Sequence, residues 1–495
     1  MGSDLIVSAS GIRGIAGESL TPGVTRRYGS AFARRLRDSA GATGPAGRRR
    51  GGWLRKRRTG GPRSVVTARD GRVSGPELHE AACQGLTEQG FDVLDMGIAP
   101  TPTALLAIGR DPTVVGGILV TASHNPAEWN GLKLVSSEGR FLTRAESLEV
   151  QRLFETPAKP PRGPWSGLRG SVAPFFGGTD FHINSILNLP VVRRPTIASR
   201  GLRVVLDCVH GAGGVIMPQL LERLGCMVKV IGGEPDGRFP RAPEPLPDNL
   251  GDLCTWVEAT GADIGMAVDP DVDRLALVDE TGRPVGEDWT LALAVELTAA
   301  GHEGPVVTNL SSSNCIEDAA RRAGADLYRS PVGEANVVDE MIARRAAIGG
   351  EGNGGVIYQP LQLTRDAPLA AALTLQFLAN EEKPLSEIIA GRPGYTIVKR
   401  RLPVEGMPVQ AALDALEEAA PPGVEIDLSD GIRLDWPDRS WVHARPSGTE
   451  PVFRVIVEAG DEAAANGRAD WAGGVLGDLR ESPPAETAAG AGGGG

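Results

Sequence analysis

The chain has 495 residues, enough for about three or four domains. Its 41% hydrophobic and 23% charged content is that of a globular protein, and with only 4% aromatics its core must be aliphatic. The net charge of −11 argues against general binding to nucleic acid or an anionic membrane surface, and no apolar run approaches the ~18 residues of a membrane span.

Residues 38–63 are rich in Gly and Arg, lack hydrophobic periodicity and read as an insertion; within them, 48–63 carry eight basic groups and no acid. Strands are expected at 64–68 and 114–120, with a helix over 76–89. The stretch 156–178 holds five prolines and reads as a domain connection. Strands then follow at 203–207, 227–231, 263–268, 275–278 and 306–310, interleaved with helices over 215–224 and 313–323. Such alternation predicts α/β sheets with helices packed on them. After Pro393 the pattern changes: strands at 395–399, 441–444 and 453–458 surround one helix over 409–419, a smaller α+β unit. The tail, 482–495, ends in four glycines and is expected to be disordered. The expected division is 1–160, 175–279 and 280–388 as three α/β domains with mixed sheets, 394–480 as a C-terminal α+β domain, and 481–495 as the tail.

Four loops carry chemistry. The first, Thr121-Ala122-Ser123-His124-Asn125-Pro126, follows a buried strand, where α/β proteins place their sites. Ser123 and His124 are adjacent, so in an extended segment they point apart and a direct Ser–His pair is not expected; an ordinary polar turn also fits. The second, Asp269-Pro270-Asp271-Val272-Asp273-Arg274, puts carboxylates at i, i+2 and i+4. In an extended chain these share one face, and three converging charges need a cation between them; hard oxygen ligands suit Mg²⁺. An EF-hand is excluded because Arg274 stands where Gly is obligatory, while a solvated acidic turn stays open. The third, Gly349 to Gly355, is Gly-rich with two side chains able to read hydroxyls, Glu351 and Asn353. The fourth, Arg445-Pro446-Ser447-Gly448-Thr449-Glu450-Pro451, offers a guanidinium, hydroxyls and accessible backbone N–H groups, the makings of a phosphate cradle or of a plain turn. No dinucleotide fingerprint and no Gly-Lys pair for a phosphate-binding P-loop are present.

Taken together and in this order, these loops resemble the α-D-phosphohexomutase family over nearly the whole chain. The resemblance rests on SGIRG (10–14), TASHNPAEWNGLK (121–133), PDGRFPRAPEPLPDNL (235–250), DPDVDR (269–274), PVGEANV (331–337), GGEGNGG (349–355) and RPSGTEP (445–451). It implies four domains around a central cleft and a reaction that interconverts hexose 6-phosphate and 1-phosphate through a sugar 1,6-bisphosphate. Ser123 stands where the family carries its phosphoserine, with His124 beside it. Asp269, Asp271 and Asp273 match the Mg²⁺ ligands, a phosphoserine oxygen completing the set. Lys133 and Arg13 match basic groups flanking the reacting oxygen, where general acid–base help is expected, and Arg274 one beside the metal loop. Glu351 matches the carboxylate that holds sugar hydroxyls; Arg445, Ser447, Gly448 and Thr449 match the clamp on the non-reacting phosphate.

Many members carry Ser and His in the sugar loop where this chain has Asn353 and Gly355, and GEGNGG resembles the phosphoglucosamine mutase-like branch. Glucosamine phosphate is therefore the expected sugar, with phosphomannomutase or phosphoglucomutase as the alternative and a Mg²⁺-dependent sugar phosphatase as the rival chemistry. RNA binding through 48–63 is disfavoured by the acidic remainder and the lone Trp53. Five scattered cysteines without C-x-x-C spacing, and no basic-then-apolar leader, predict a reduced, cytoplasmic protein. Nothing in the sequence speaks to oligomeric state.

Overall fold

The computed structural model describes residues 5–8, 11–42, 63–157, 160, 165–403, 408–446 and 452–481. Four sheets follow one another along the chain. The first has seven strands, in spatial order Ile6–Ser8, Gly11–Ile15, Trp129–Ser136, Val114–Val120, Ser64–Arg69, Asp92–Ile98 and Val172–Pro174. From Val114–Val120 to Val172–Pro174 the pairing is parallel; the other pairs are antiparallel. Val114–Val120 is an unbroken run without a polar side chain, and Ser64–Arg69 is buried from Val65 to Ala68, because helices cover both faces of a parallel sheet.

The second sheet orders Leu275–Val278, Ile264–Val268, Arg203–Asp207 and Met227–Ile231; the third orders Leu327–Ser330, Val306–Asn309, Ile348–Glu351 and Gly355–Tyr358. Each is three parallel strands with one antiparallel hairpin partner. One apolar cluster runs through both, from Val204 and Ile264 to Val306 and Leu373. The fourth sheet is wholly antiparallel: Thr396–Pro403, Val452–Ala459, Trp441–Pro446, Ile432–Asp435 and Glu425–Asp427. It packs on helices Val409–Glu418 and Glu462–Glu481 through Leu416, Ala465, Ala469 and Leu476.

Several expectations change. The segment 38–63 does not begin as an insertion: helix Pro22–Ala42 reaches into it, burying Tyr28, Ala31, Phe32 and Leu36 at helical spacing. The basic stretch 48–62 lies outside the described residues, as does the tail 482–495. The proline-rich 156–178 is more than a connection. Val172–Pro174 pairs with Asp92–Ile98 at the edge of the first sheet, where proline is tolerated, and Trp165 stacks on Phe91 at 4.9 Å. The C-terminal unit has two helices, not one, and two further strands.

The units meet through buried polar contacts. Thr103 Oγ1 lies 2.9 Å from His182 Nδ1, and His182 Nε2 lies 2.9 Å from Asp366 Oδ2, all three side chains essentially without solvent exposure. This chain of contacts ties helix Thr101–Arg110 of the first unit to helices Gly178–Leu187 and Ala367–Glu381.

Candidate active site

The Ser123 loop leaves the carboxyl end of strand Val114–Val120, the aspartate loop that of Ile264–Val268, and Glu351 ends Ile348–Glu351. In open α/β sheets that edge is where sites form. Ser123 sits at φ 51°, a left-handed conformation costly for a side-chain-bearing residue, so neighbouring bonds must hold it there. Its N–H donates to Thr121 Oγ1 at 2.9 Å, and Thr121 Oγ1 donates to Asp70 Oδ2 at 2.7 Å.

Arg72 does more of the holding. Its guanidinium donates to the carbonyls of Ser123 (2.7 Å), Asn125 (2.6 Å), Pro126 (2.6 Å) and Trp129 (2.9 Å), while Nε pairs with Asp70 Oδ2 at 3.1 Å. Sequence reasoning missed Arg72. The signal was there: Asp70-Gly71-Arg72 ends a buried strand at the same sheet edge.

Ser123 Oγ is 3.1 Å from Asp269 Oδ2 and 3.4 Å from His124 Nδ1. The last contact corrects the expectation that the adjacent side chains point apart, which assumed an extended backbone; the positive φ of Ser123 turns them together. Burial, reinforced by Arg274, Arg13 and Arg365, pushes the His124 pKa far down, so its ring is neutral near pH 7.

The three aspartates also converge by another route than expected. The loop is a tight turn with Val272 at φ 65°, and Asp269 Oδ1 accepts from the N–H groups of Asp273 (3.0 Å) and Arg274 (3.2 Å). One oxygen from each of Asp269, Asp271 and Asp273 lies within 4.8 Å of the others. Asp271 Oδ1 and Asp273 Oδ1 are buried and accept no hydrogen bond among the described residues. Orphaned carboxylate oxygens beside a hydroxyl are the donor set a hard divalent cation takes, so these residues fit such an ion. Cationic side chains balance the cluster in part: Lys133 Nζ is 2.7 Å from Asp271 Oδ2, and Arg365 donates to Asp273 Oδ2 at 2.6 Å. Thr101 Oγ1 donates to Asp271 Oδ2 at 2.8 Å. Burial and its two carboxylate neighbours drive Asp269 well above the ordinary range; burial acts on Asp271 too, but Lys133 and Thr101 prevail and hold it low.

Arg13, on strand Gly11–Ile15, feels the charges of Asp271, Asp273, Arg274 and Arg365, and burial lowers its pKa. Arg274 donates to Glu244 Oε1 at 2.7 Å, which brings 235–250 to the site.

Glu351 is not a free reader of hydroxyls. Oε1 accepts from Asn309 (2.9 Å) and Gly333 (3.1 Å), and Oε2 from Arg365 (2.8 Å) and, weakly, Asn353 (3.5 Å). Burial opposes its ionisation, yet Arg365 and Arg274 keep its pKa below the ordinary value. The loop is a fixed hairpin tip rather than a flexible one. Gly354 has φ 83° and accepts from Leu275 N–H at 3.0 Å, and a Cβ there would sit 2.4 Å from Leu275 O. Arg365 thus links the aspartate loop to the Glu351 loop, and it too was missed; the signal was an arginine beside Asp366, which caps an apolar helix.

Of the fourth loop, Arg445 is described, and Ser447, Gly448 and Thr449 lie outside the described residues. No hydrogen bond joins Arg445 to the Ser123 cluster among the described residues. It lies 3.5 Å from Asp430 Oδ2, which also accepts from Val332 N–H, next to the Gly333 that bonds Glu351. Arg401, Arg454 and Arg445 stand opposite one another on three adjacent strands, and Arg454 Nε is buried with no acceptor among the described residues.

Comparison with known proteins agrees with this layout. Residues 46–160, 180–282 and 286–395 match phosphoglucomutase/phosphomannomutase α/β/α domains I, II and III, and 398–471 match the C-terminal domain of the same family. A phosphoglucomutase/phosphomannomutase of Thermococcus kodakarensis is 36% identical over 462 residues, covering 92% of this chain and 94% of the relative. A protein of Methanopyrus kandleri named probable phosphoglucosamine mutase is 35% identical, with the same coverage. The solved structure of a phosphoglucomutase/phosphomannomutase family protein from Burkholderia thailandensis superposes with a TM-score of 0.79 at 28% identity, covering 96% of this chain and 98% of that one. The chain therefore belongs to the phosphoglucomutase/phosphomannomutase family and is a phosphohexomutase, an isomerase.

Proposed function

We propose that the enzyme interconverts glucosamine 6-phosphate and glucosamine 1-phosphate, with Ser123 as the phosphoryl carrier. The supporting observation is the Ser123 hydroxyl, buried and held by its backbone 3.1 Å from Asp269, at the edge of a carboxylate cluster in which two oxygens accept no hydrogen bond among the described residues. Phosphoserine 123 gives its phosphoryl group to the free O1 or O6 hydroxyl of the bound sugar phosphate. The P–O bond to Ser123 breaks, one to the sugar forms, and the product is the sugar 1,6-bisphosphate. The sugar hydroxyl gives up its proton and the leaving Ser123 Oγ takes one up, a relay for which Lys133 and Arg13 flank the reacting oxygen and His124 lies 3.4 Å from Ser123 Oγ. The bisphosphate turns over in the cleft, and its other phosphoryl group returns to Ser123.

Asp269, Asp271 and Asp273 would hold Mg²⁺, which when bound neutralises charge on the phosphoryl group. Phosphoryl transfer depends mostly on positioning and charge neutralisation. Lys133 and Arg13 supply fixed positive charge at the reacting end, Arg274 beside it. Glu351, held by Arg365, can exchange its weak 3.5 Å contact with Asn353 for a ring hydroxyl, and Asn353 reads the substituent at carbon 2. Arg445, with Ser447, Gly448 and Thr449, holds the phosphate that is not reacting.

The name of the Methanopyrus relative supports glucosamine phosphate; that of the Thermococcus relative favours glucose or mannose phosphate as a second reading. Measuring kcat/KM for the three sugars on wild type and Asn353→Ala tests the choice. Glucosamine phosphate should lead, with measurable turnover of the others. Equal or better turnover of mannose phosphate would overturn it. All five cysteines are free thiols, four of them buried, which fits a reducing compartment and supports a cytoplasmic location. Among the described residues no helix is long and apolar enough to cross a membrane.

A further inference from the structure

A cleft of about 610 Å³ opens between the first and third units, at the opposite end of helix Thr101–Arg110 from the carboxylates. Its volume is in the range of small-molecule sites. Leu106, Met341 and Leu361 give it apolar walls. Three arginines, Arg110, Arg140 and Arg345, stand among its lining residues against one acidic residue, Glu138. Arg140 pairs with Glu138, and Arg110 donates to Leu361 O at 3.1 Å. The Arg345 guanidinium has no carboxylate partner among the described residues, and its backbone is fixed as the left-handed cap of helix Glu334–Arg344.

We propose that this cleft binds a small organic phosphate monoester and that its occupancy is felt at the active site. The dianionic head suits Arg345 and Arg140, since guanidinium forks match phosphate oxygens; the organic body suits the leucine and methionine walls. A bare inorganic ion would leave those walls wet.

Coupling follows from what the cleft is built of. Helix Thr101–Arg110 lines it with Leu105 to Arg110, about 6–14 Å along the axis from the first residue. At that first residue, Thr101 N–H donates to Asp271 O at 2.9 Å and its hydroxyl to Asp271 Oδ2. The opposite wall includes Leu361 and Gln362, and a few residues on, Arg365 bonds both Asp273 and Glu351. Gln362 Nε2 donates to Pro102 O at 3.1 Å and to Asp366 Oδ2 at 2.7 Å, so the two walls are already keyed together. A ligand bridging them pins elements that each end on the metal loop. Turnover requires the bisphosphate to reorient, so pinning should lower kcat at saturating sugar phosphate.

The test is calorimetric titration of the full chain with phenyl phosphate while glucose 6-phosphate saturates the active site. One additional site per chain is expected. It should weaken at least about tenfold in Arg345→Glu and in Arg140→Ala, with melting temperature and basal turnover unchanged. Inorganic phosphate should bind there more weakly than phenyl phosphate. In wild type, phenyl phosphate should lower kcat in a way that excess sugar phosphate does not relieve, and this effect should vanish in Arg345→Glu. Complete displacement of phenyl phosphate by sugar phosphate, or equal binding by both variants, would refute the site. Binding that leaves kcat unchanged would refute the coupling. The Arg345→Glu comparison separates this site from the active site whichever hexose the enzyme prefers.

Discussion

Replacing Arg72 by methionine isolates what holds the Ser123 loop, because methionine fills similar space without donors. Arg72 is 1% exposed. Its loss strips hydrogen bonds of 2.6–2.9 Å from four loop carbonyls and leaves Asp70 buried beside Thr121 without its counter-charge. Breaking a buried ion pair costs about 3–5 kcal/mol. Carbonyls left unpaired add about 1–3 kcal/mol each unless water reaches them, and the Trp129 and Pro126 carbonyls are near enough to the surface for that. A loss of at least about 5 kcal/mol for the first unit follows, read as a lower urea midpoint. The consequence for chemistry is separate. Freed from Arg72, Ser123 relaxes from φ 51°, and a displacement near 1 Å at a reacting atom costs about 100-fold in rate. Arg72→Lys keeps a charge but not the five-donor fork, so it should fall between, with a loss of roughly tenfold. Turnover at saturating sugar phosphate, together with amide exchange over residues 121–129, measures both effects. An Arg72→Met enzyme with wild-type turnover and unchanged exchange in that loop would show that the loop holds itself and that Arg72 is incidental.

Asp271→Asn removes one carboxylate from the cluster and the partner of Lys133, so the Mg²⁺ needed to restore turnover after EDTA treatment should rise well above that of wild type. Arg365→Met leaves Asp273 and Glu351 buried without their shared cation; a loss of about 3–5 kcal/mol in urea unfolding and a higher KM for sugar phosphate are expected. Asp288 accepts from Ser313 N–H at 2.8 Å, and burial raises its pKa to about 8. A carboxyl raised in the fold contributes stability that is complete below its unfolded value near pH 4 and is lost as pH rises through about 8. Asp288→Asn keeps the acceptor without the charge, so the decline of melting temperature between about pH 5 and 8 should be shallower than in wild type.

The strands of the α/β units were the most legible part of the chain, because each centres on a short aliphatic, β-branched run: 114–120, 203–207, 227–231 and 275–278 coincide with the expected limits. Helix Pro22–Ala42 was hidden by its five arginines and the Gly/Arg-rich sequence that follows, although Tyr28, Ala31, Phe32 and Leu36 mark its buried stripe. Strand Val172–Pro174 was hidden because an exposed edge strand can hold proline and needs no apolar alternation. At the site, residues whose chemistry is carried by adjacent positions could be read: Ser123 in its loop, the aspartates at alternate positions, Glu351 among glycines. Residues that act across the chain could not. Arg365 lies 92 positions from Asp273 and Arg72 lies 51 from Ser123, and only the folded backbone brings them together. The turn at Val272 and the left-handed Ser123 were also beyond sequence reading, since neither carries glycine to announce a positive φ.

Tandem mass spectrometry of enzyme incubated with its sugar 1,6-bisphosphate, set beside the turnover of Ser123→Ala, tests the role of Ser123 most directly. The account predicts phosphate on Ser123 in the wild type, none there in the variant, and near-complete loss of isomerisation by a folded Ser123→Ala protein. Isomerisation that survives in Ser123→Ala, or a fully active wild type that carries no phosphate on Ser123 at any stage of turnover, would contradict it.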